Sequence, residues 1–266
     1  MLAVCATPIG NLDDVTLRVL EELRAADVIL CEDTRHTRVL LDRHGITGKR
    51  LLSYHEHNEA KRTAEVLPRL EAGERIALVS DAGMPGISDP GARLVAGALG
   101  RGVAVTVLPG PTAVETALVA SGFSAERYQF VGFLPRGGAA LRSLWDELAG
   151  WPHPVVAFES PQRLPATLRS LAAAKPDRPV AVCRELTKRF EEVVVGTASE
   201  LAARFAQPPK GEITLVLGPA AGGPENETAF EVVAELVAAG VARRRAAELV
   251  SRLTGVSRNE LYRRTL

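Results

Sequence analysis

Short apolar runs alternate with helical patterns over the first 120 residues, and this alternation restricts the fold more than any other feature of the sequence. Each run has four to six residues and is followed by helical spacing after a short link. Thr34 is positioned to cap the helix after the second run. The alternation predicts an α/β fold in which a parallel sheet has helices on both faces. The predicted strands are Leu2–Cys5, Val28–Cys31, Leu51–Tyr54, Ile76–Val79 and Val103–Leu108.

Each of these strands ends in a polar group or in a group rich in glycine and proline. The carboxyl ends of parallel strands meet at one edge of the sheet, where open α/β sheets bind ligands. The loop after the fourth strand continues to Gly91 and carries Asp81 and Asp89. An ordinary connection from strand to helix needs only about 2–6 residues. We therefore interpret this longer loop, which glycines and prolines shape, as a ligand site.

The second half of the chain predicts another α/β unit with a mixed sheet. The expected strands are Tyr128–Phe133, Val155–Phe158, Val180–Cys183, Val193–Val195 and Ile213–Leu217. The third and fourth of them are close in sequence, which favours an antiparallel pair. The small-residue run Pro219–Pro224 has the composition of a linker. The expected organisation is an N-terminal domain over residues 1–115, a second domain over 116–220 and a helical tail over 225–266.

The tail differs from the rest of the chain in charge. The whole chain has 32 basic and 32 acidic residues, but from Val241 onward seven arginines accompany two glutamates. Helical patterns cover Phe230–Ala238, Arg243–Leu253 and Asn259–Leu266, with a turn at Gly255. A helix–turn–helix with a basic face is typical of nucleic-acid binding. A small capping bundle with a solvated face explains the same pattern almost equally well.

Several common classes of function lose support from what the sequence lacks. No glycine-rich dinucleotide or nucleoside-triphosphate motif follows a strand, and no serine lies in a hydrolase elbow. His55 and His57 have no further ligands at metal-binding spacing, so no metal site is predicted. The three cysteines lie in apolar runs, and neither a charged leader nor an apolar run of about 18 residues occurs. A cytoplasmic protein that makes no membrane contact is expected.

Nine runs of the sequence resemble the tetrapyrrole-methylase superfamily, and specifically its bacterial branch that methylates a cytidine 2′-hydroxyl in small-subunit ribosomal RNA. They span residues 1–218 in order, and the tail is similar as well. The resemblance implies S-adenosylmethionine in a cleft between two α/β domains and a homodimer. It also implies a substrate in the decoding region of 16S RNA, offered as RNA or as the 30S subunit. The runs are TPIGNLDDVTLRVL, CEDTRHT, HEHNE, ALVSDAGMPGISDPG, LPGPTA, GFLPR, ESPQRL, RELTKRFEEVVVGT and KGEITLVLG.

The resemblance also implies which residues bind the cofactor. In the first domain they are Asp81, Gly83, Met84, Pro85, Ile87, Ser88, Pro111, Thr112 and Ala113. In the second domain they are Phe158, Leu186, Glu212, Ile213 and Thr214. Thr112 stands where many relatives have serine, which keeps the hydroxyl.

A ribose hydroxyl is a weak nucleophile, so the implied reaction gains from a general base or from stabilisation of the developing oxyanion. Alignment of the two reactants alone could supply most of the acceleration. The candidate catalytic residues are Lys188 and Glu185 in the RELTK run and His57 and Asn58 in HEHNE. If Lys188 has no catalytic role, its side chain is expected to form a surface ion pair with Glu185 or Glu191.

Six arginines are expected to contact RNA. They are Arg35, Arg184, Arg243, Arg244, Arg263 and Arg264. Two other functions compete with RNA methylation. A tetrapyrrole methyltransferase would have little use for the basic tail or for HEHNE. A non-catalytic RNA-binding assembly factor predicts no turnover, and the intact cofactor motifs argue against it.

Overall fold

The computed structural model describes residues 1–220, 224–254 and 256–264, and for residues 224–227, 260 and 264 it describes the backbone alone. Residues 221–223 of the predicted linker, the predicted turn residue Gly255 and the predicted helix end at Leu266 lie outside this description. The chain divides into two units. The first contains Met1–Ala120, Cys183–Val193 and Gly211–Thr214, and the second contains Ser121–Val182, Val194–Lys210 and Leu215–Leu266.

The first unit has a five-stranded parallel sheet, which confirms the predicted fold class. Its strands are β1 (Leu2–Cys5), β2 (Val28–Cys31), β3 (Arg50–Ser53), β4 (Ile76–Leu78) and β5 (Val105–Leu108). Their order in the sheet is β3-β2-β4-β1-β5, and every neighbouring pair is parallel. All residues of β1, β2 and β4 are buried, because helices cover both faces of a parallel sheet.

Alternation along the strands divides the apolar side chains between two cores. Ala3, Ile29 and Ala77 face one core, and their neighbours Leu2, Leu30 and Leu78 face the other. Each fully buried leucine or isoleucine contributes roughly 1.5–3 kcal/mol of transfer free energy, so these layers fix the sheet that carries the loops. The helices of this unit are α1 (Leu17–Ala25), α2 (Thr34–Arg43), α3 (Glu59–Glu71), α4 (Ala92–Leu99) and α5 (Ala113–Ala120).

The expected cap of α2 is wrong by one residue. The helix begins at Thr34, and the residue before it, Asp33, is the N-cap. The Asp33 carboxylate accepts a hydrogen bond from the backbone N–H of Arg35 at 2.8 Å. Aspartate and threonine are both good caps, and here the carboxylate also makes a bidentate contact with the Arg35 guanidinium, which the threonine hydroxyl could not make.

The other five-stranded sheet is the predicted mixed sheet, with strand order β6-β7-β10-β8-β9, and most of its residues belong to the second unit. Its strands are β6 (Gln129–Phe133), β7 (Val155–Glu159), β8 (Pro179–Arg184), β9 (Glu192–Thr197) and β10 (Ile213–Leu217). The helices that accompany them are α6 (Gly138–Glu147), α7 (Leu164–Ala174) and α8 (Ala198–Arg204). The sequence analysis did not predict α8, although Thr197 and Glu200 form a capping box at its start.

The C-terminal helices pack against one another. They are α9 (Pro224–Ala238), α10 (Arg243–Thr254) and α11 (Arg258–Arg264). Val233, Val250 and Leu261 lie in their common apolar core. Within the described part of the chain, no helix is both long enough and apolar enough to span a membrane.

Candidate active site

The loops after β1 and β4 are joined by main-chain hydrogen bonds at the carboxyl edge of the first sheet. The N–H of Thr7 donates to the carbonyl of Gly83 at 2.9 Å, and the N–H of Gly83 donates to the carbonyl of Thr7 at 3.0 Å. The Thr7 hydroxyl is buried and donates to the carbonyl of Ser80 at 3.0 Å. The first half of the β4 loop (residues 79–91) is therefore fixed, and this half contains four of the six loop residues that the resemblance assigns to the cofactor.

Gly83 has to be glycine at this position for a conformational reason. Its φ is +76°, a left-handed value that side chains resist. A Cβ built there would lie 3.8 Å from Ile9 and 3.9 Å from the carbonyl oxygen of Pro111, which are ordinary contact distances. Three of the predicted loops, after β1, β4 and β5, thus meet at Gly83.

Carboxylates crowd the same edge of the sheet. Asp81 accepts the backbone N–H of Asp33 at 3.0 Å and lies 3.3 Å from Nδ1 of His36. Burial, together with the charges of Glu32 and Asp81, raises the pKa of Asp89 to about 6. Burial and the charge of Asp81 also raise the pKa of Glu32. The edge therefore holds concentrated negative charge in a partly buried place.

Glu59 fixes the other end of the β4 loop, and the sequence analysis did not identify it. Its Oε1 accepts the N–H of Gly91 at 3.1 Å and the hydroxyl of Tyr54 at 3.2 Å. Tyr54 is buried, and desolvation is the largest cause that raises its pKa to about 12. The sequence offered one indication of this role, because Glu59 lies in the HEHNE run. The functional prediction for that run was placed on His57 and Asn58 instead.

Asn58, a predicted catalytic residue, has its side chain fully used by the turn after β3. Its Oδ1 accepts the N–H of His55 at 3.0 Å, and its Nδ2 donates to the carbonyl of Ser53 at 3.2 Å. Asn58 also contacts Nε2 of His55 at 3.1 Å, whereas Nδ1 of His55 is buried and has no hydrogen-bond partner in the part of the chain that the structure describes. His57 is exposed, and its ring lies 6.0 Å from that of His55. The turn thus exposes the imidazole of His57 to solvent, and the hydrogen bonds of Asn58 fix the conformation of the turn.

The segment between β8 and β9 carries the other two predicted catalytic residues and belongs to the first unit. We call residues 185–191 the β8–β9 loop. Lys188 Nζ donates to Glu185 at 3.0 Å and to Glu212 at 2.9 Å. Burial lowers the pKa of Lys188, but the hydrogen bonds to Glu212 and Glu185 outweigh it and raise the pKa overall. The hydrogen bond from the Glu212 N–H is the largest cause that lowers the pKa of Glu185. Both groups are therefore charged at neutral pH.

The backbone of the β8–β9 loop is strained. Glu185 and Thr187 have φ values of +53° and +65°, which for non-glycine residues cost on the order of 1–3 kcal/mol each. Gly211 leaves room for the side chain of Glu185 in this conformation, because a Cβ on Gly211 would overlap Cγ of Glu185. Such strain persists only where the surroundings over-determine the conformation, and it clusters at functional sites.

The same loop packs on the turn after β1. The Thr187 hydroxyl accepts the N–H of Asn11 at 3.0 Å. A Cβ on Gly10 would lie 2.5 Å from Cγ of Lys188 and 2.9 Å from the carbonyl oxygen of Leu186, so glycine is required for this approach. The RELTK run and the first predicted loop are thereby brought together, although 176 residues separate Asn11 from Thr187.

The remaining predicted cofactor residues lie in several places. Leu186 and Thr214 are buried in the first unit, which also contains Glu212 and Ile213. The Thr112 hydroxyl accepts the N–H of Glu115 at 3.3 Å and so begins α5. Phe158 is in the second unit, where its ring lies 5.0 Å from Phe130 and 5.4 Å from Phe133. Further members of the β4 loop are Met84 and Pro85, which are at least partly buried, and Ile87 and Ser88, which are exposed.

The six predicted RNA-contacting arginines differ in their surroundings. Arg35 is bound to Asp33, and Arg184 lies 3.0 Å from Glu192. In the tail, Arg243 lies over the ring of Tyr262 at 5.9 Å. Arg244 and Arg263 are exposed, and the side chain of Arg264 lies outside the described residues. The tail arginines thus present charge to solvent, whereas Arg35 and Arg184 are each paired with a carboxylate.

The residues at the edge of the first sheet suit S-adenosylmethionine, whose sulfonium and ammonium groups are positive. Burial raises the pKa values of Glu32 and Asp89 and the charge of neighbouring carboxylates adds to this effect, so a bound cation favours the ionised form of both groups. The main chain at Gly83 is held in place by its two hydrogen bonds to Thr7, and the exposed side chain of Ile87 offers apolar surface. The set combines charge, main chain and apolar area, which is what a nucleoside with a charged tail requires.

Comparison with known proteins supports the resemblance to the tetrapyrrole methylases that the sequence motifs indicate. The family model of the tetrapyrrole (corrin/porphyrin) methylases matches residues 1–202. A Mesorhizobium japonicum protein named ribosomal RNA small subunit methyltransferase I is 44% identical over 269 residues, which cover 100% of this chain and 91% of that protein. A Thermotoga maritima protein of the same name is 47% identical over 217 residues, which cover 81% of this chain and 97% of that one.

Solved structures share the fold at lower identity. Uroporphyrin-III C-methyltransferase from Thermus thermophilus, complexed with S-adenyl homocysteine, has a TM-score of 0.58 and 21% identity. The match covers 82% of this chain and 96% of that one. Diphthine synthase has a TM-score of 0.60 and 14% identity, over 82% of this chain and 89% of that one. At these identities the likeness concerns the fold alone.

Proposed function

Because the chain belongs to the tetrapyrrole methylase family, we propose that it transfers a methyl group from S-adenosylmethionine to ribosomal RNA of the small ribosomal subunit. The observation that carries this proposal is its similarity, over the full chain, to relatives named ribosomal RNA small subunit methyltransferase I. The acceptor in the proposal is the 2′-hydroxyl of a cytidine in the decoding region of 16S RNA. The enzyme acts as a homodimer in the cytoplasm, where ribosomal subunits assemble.

The cofactor supplies an electrophilic methyl group on a positively charged sulfur. In the proposal, the β4 loop and the loop after β5 hold it, with Gly83 and Pro111 at their meeting point. The carboxylates around Asp81 complement its positive charge, and the neighbouring turns position the acceptor hydroxyl. Holding both reactants in line converts a bimolecular step into an effectively unimolecular one, which is worth up to about 7–11 kcal/mol of the barrier.

The charge states divide the candidate catalytic residues by role. Lys188 is protonated at neutral pH, so it cannot act as the base; it can donate to an RNA phosphate or to the developing oxyanion. Glu185 is held by Lys188 and by the N–H of Glu212, so its carboxylate positions Lys188. The His57 ring is exposed and has no hydrogen-bond partner within the described ranges, and we assign it as the acceptor of the proton.

The C-terminal helices supply the sequence-independent part of RNA binding in the proposal. Exposed Arg244 and Arg263, with Arg243 over Tyr262, suit contacts to phosphates and to base faces. Binding that depends on such contacts weakens as salt rises.

Transfer of a labelled methyl group from S-adenosylmethionine tests the function. The acceptors are small ribosomal subunits from an unmethylated strain, naked 16S RNA and a porphyrinoid. We expect label in one alkali-resistant cytidine linkage of the subunit or the RNA. Label only in the porphyrinoid would replace the proposal with tetrapyrrole methylation. Cofactor binding without any transfer would favour an RNA-binding assembly factor.

Two substitutions test the roles. Lys188→Ala is expected to lower kcat by at least tenfold while the Kd for the cofactor stays within about threefold, since each tenfold in rate corresponds to about 1.4 kcal/mol. His57→Ala is expected to lower kcat by roughly 10²-fold or more at an unchanged cofactor Kd, because a general base contributes about 10²–10⁴-fold to a rate. If both variants transfer methyl groups at the wild-type rate, these assignments are wrong, although the function stands.

A further inference from the structure

A cavity of about 670 Å³ lies in the second unit, and none of the roles described above uses it. Its volume is within the range of small-molecule sites, roughly 300–1,000 Å³. Polar and aromatic side chains line it, and those that matter here are Glu126, Arg127, Tyr128, Trp151 and His153.

Two adjacent parallel strands fix the walls of this cavity. One wall is the segment that leads into β6, and the other is the segment that leads into β7. The N–H of Gln129 donates to the carbonyl of Pro154 at 3.0 Å, and Gln129 pairs with Val155 in the sheet. The pairing of β6 with β7 therefore anchors the C-terminal ends of the two segments that line the cavity.

Its aromatic side chains are exposed to an unusual degree. Trp151 is 36% exposed and Tyr128 is 39% exposed, whereas the other tryptophan, Trp145, is 2% exposed and donates to Ser170. The Trp151 ring meets the ring of His153 edge to face, with centroids 5.7 Å apart. Flat aromatic surfaces that stay open to solvent are the platforms on which unpaired bases stack.

A buried arginine holds the Trp151 segment in place. The guanidinium of Arg178 donates to the carbonyls of Gly218 at 2.7 Å, Leu148 at 3.1 Å and Trp151 at 3.4 Å. It is 5% exposed and pairs with no carboxylate within the described ranges, and burial lowers its pKa to about 10. Burying a charge that no carboxylate pairs costs free energy, and the three hydrogen bonds to carbonyl groups offset part of that cost. The backbone beneath the tryptophan is thereby preorganised.

We propose that this cavity binds an unpaired nucleotide of the RNA substrate. The base stacks on Trp151 and Tyr128, the Arg127 guanidinium meets a phosphate, and the Glu126 carboxylate accepts an N–H from the edge of the base. Every RNA base carries at least one N–H on its Watson–Crick edge, and single-stranded RNA exposes it. This inference rests on the proposed function for the identity of the RNA, but the stacking itself is measurable without turnover.

The first experiment is a fluorescence titration of the full chain with a single-stranded oligoribonucleotide. Buried Trp145 emits in every variant, so Trp151→Phe serves as the blank and the difference signal reports Trp151. We expect saturable quenching in the wild-type protein and none in the blank. Absent quenching, or equal quenching by a duplex of the same sequence, would overturn the proposal.

The second experiment measures methyl transfer to small subunits. Trp151→Ala is expected to raise the KM for the subunit roughly tenfold, because loss of one stacked base weakens binding by about that factor. The kcat and the cofactor Kd should not change, and Trp151→Phe should restore the KM. Leu17→Ala, which removes a 78% exposed apolar side chain from the first unit, is the matched control.

The outcomes of the two experiments separate the proposals. An unchanged KM for Trp151→Ala overturns the nucleotide site and leaves the function intact. No transfer by the wild-type enzyme overturns the function, while the titration still decides the site. A raised KM without quenching by oligoribonucleotides means that the cavity contacts a ribosomal protein, which also overturns the nucleotide proposal.

Discussion

Two loops of the first unit carry opposite electrostatic arrangements. In the β4 loop, Asp89 and its neighbour Glu32 have raised pKa values because burial and nearby carboxylates oppose ionisation. In the β8–β9 loop, the pKa of Glu185 is lowered because the N–H of Glu212 and the ammonium group of Lys188 favour ionisation. The first loop holds uncompensated negative charge, whereas the second neutralises its own.

The difference indicates what each loop would contribute to the proposed methyl transfer. A loop with uncompensated charge gains stability when a cation binds, as the proposed cofactor does. A loop that neutralises itself gains little from a charged ligand, and its strained backbone instead fixes the direction of Lys188. The variants below test whether this contrast holds, from the largest expected effect to the smallest.

Gly211→Ala is expected to destabilise the protein by about 3 kcal/mol. The left-handed φ of +96° costs an alanine about 1 kcal/mol, and the overlap with Glu185 adds about 2 kcal/mol. Gly73→Ala is the matched control, since Gly73 has a φ of +93° and nothing within 4 Å of its built Cβ. Urea unfolding measures both. Equal losses would mean that the β8–β9 loop moves freely, and the contrast between the loops would fail.

Asp89→Asn is expected to stabilise the unliganded protein by about 1–2 kcal/mol at pH 8. The folded pKa of about 6 lies above the value near 3.9 of an unfolded aspartate, so the folded state binds more protons between these values. Stability therefore falls as pH rises from about 4 to about 6 in the wild-type protein, and this fall should shrink in the variant. Thermal unfolding across pH 3.5–8 measures it. A variant less stable than wild type at pH 8 would contradict the account of the β4 loop.

Lys188→Met is expected to lower the free energy of unfolding by about 1 kcal/mol at neutral pH. In contrast to the Asp89 effect, the stability that this variant removes is present at neutral pH and lost at acid pH. The folded pKa of Glu185 is lowered, so its contribution is present above the unfolded pKa and is lost as pH falls through the folded pKa. Without the ammonium group, this acid-side loss should become smaller. Because Lys188 is partly exposed, screening keeps the effect modest. The measurement is urea unfolding at pH 3.5 and 7, and a larger loss at pH 3.5 than at pH 7 would sink the explanation.

Thr187→Val is expected to have the smallest effect on stability, below about 1 kcal/mol. Valine keeps the shape and the left-handed strain but removes the acceptor for the N–H of Asn11. Thr187→Ser keeps the acceptor and should retain wild-type methyl transfer, whereas the valine variant should show a lower kcat at unchanged cofactor Kd. Equal kcat values for both variants would show that this contact does not position the loop.

Most of the fold was predictable because burial leaves a local pattern. The runs that became β1, β2 and β10 match the predicted residues, since all residues of these strands are buried and nearly all their side chains are apolar. The short helix α8 was not predicted, because the Thr197–Glu200 capping box was its main indication in the sequence. The cap of α2 was misplaced because Asp33 and Thr34 are both good caps and lie next to each other.

The part of the candidate site in the β4 loop was predictable from local sequence, whereas the parts that depend on contacts between distant residues were not. The length of the β4 loop and its carboxylates indicated a ligand site from local sequence alone. Nothing local showed that Glu185 and Thr187 adopt left-handed conformations, because neither residue type favours them. The contacts of Gly211 with Glu185 and of Gly10 with Lys188 join distant parts of the chain, so only the folded structure reveals why those glycines are needed.

The division of the first unit into three stretches of chain has a consequence for its synthesis on the ribosome. The sheet is complete in sequence at residue 120, so it can fold while later residues are still being made. The stretches Cys183–Val193 and Gly211–Thr214 emerge much later, and only then can Thr187 meet Asn11 and Glu212 meet Lys188. At roughly 5–20 residues per second, several seconds separate the two events. A nascent chain therefore carries a folded sheet before it carries all of the proposed catalytic residues, and the proposed site forms in two steps.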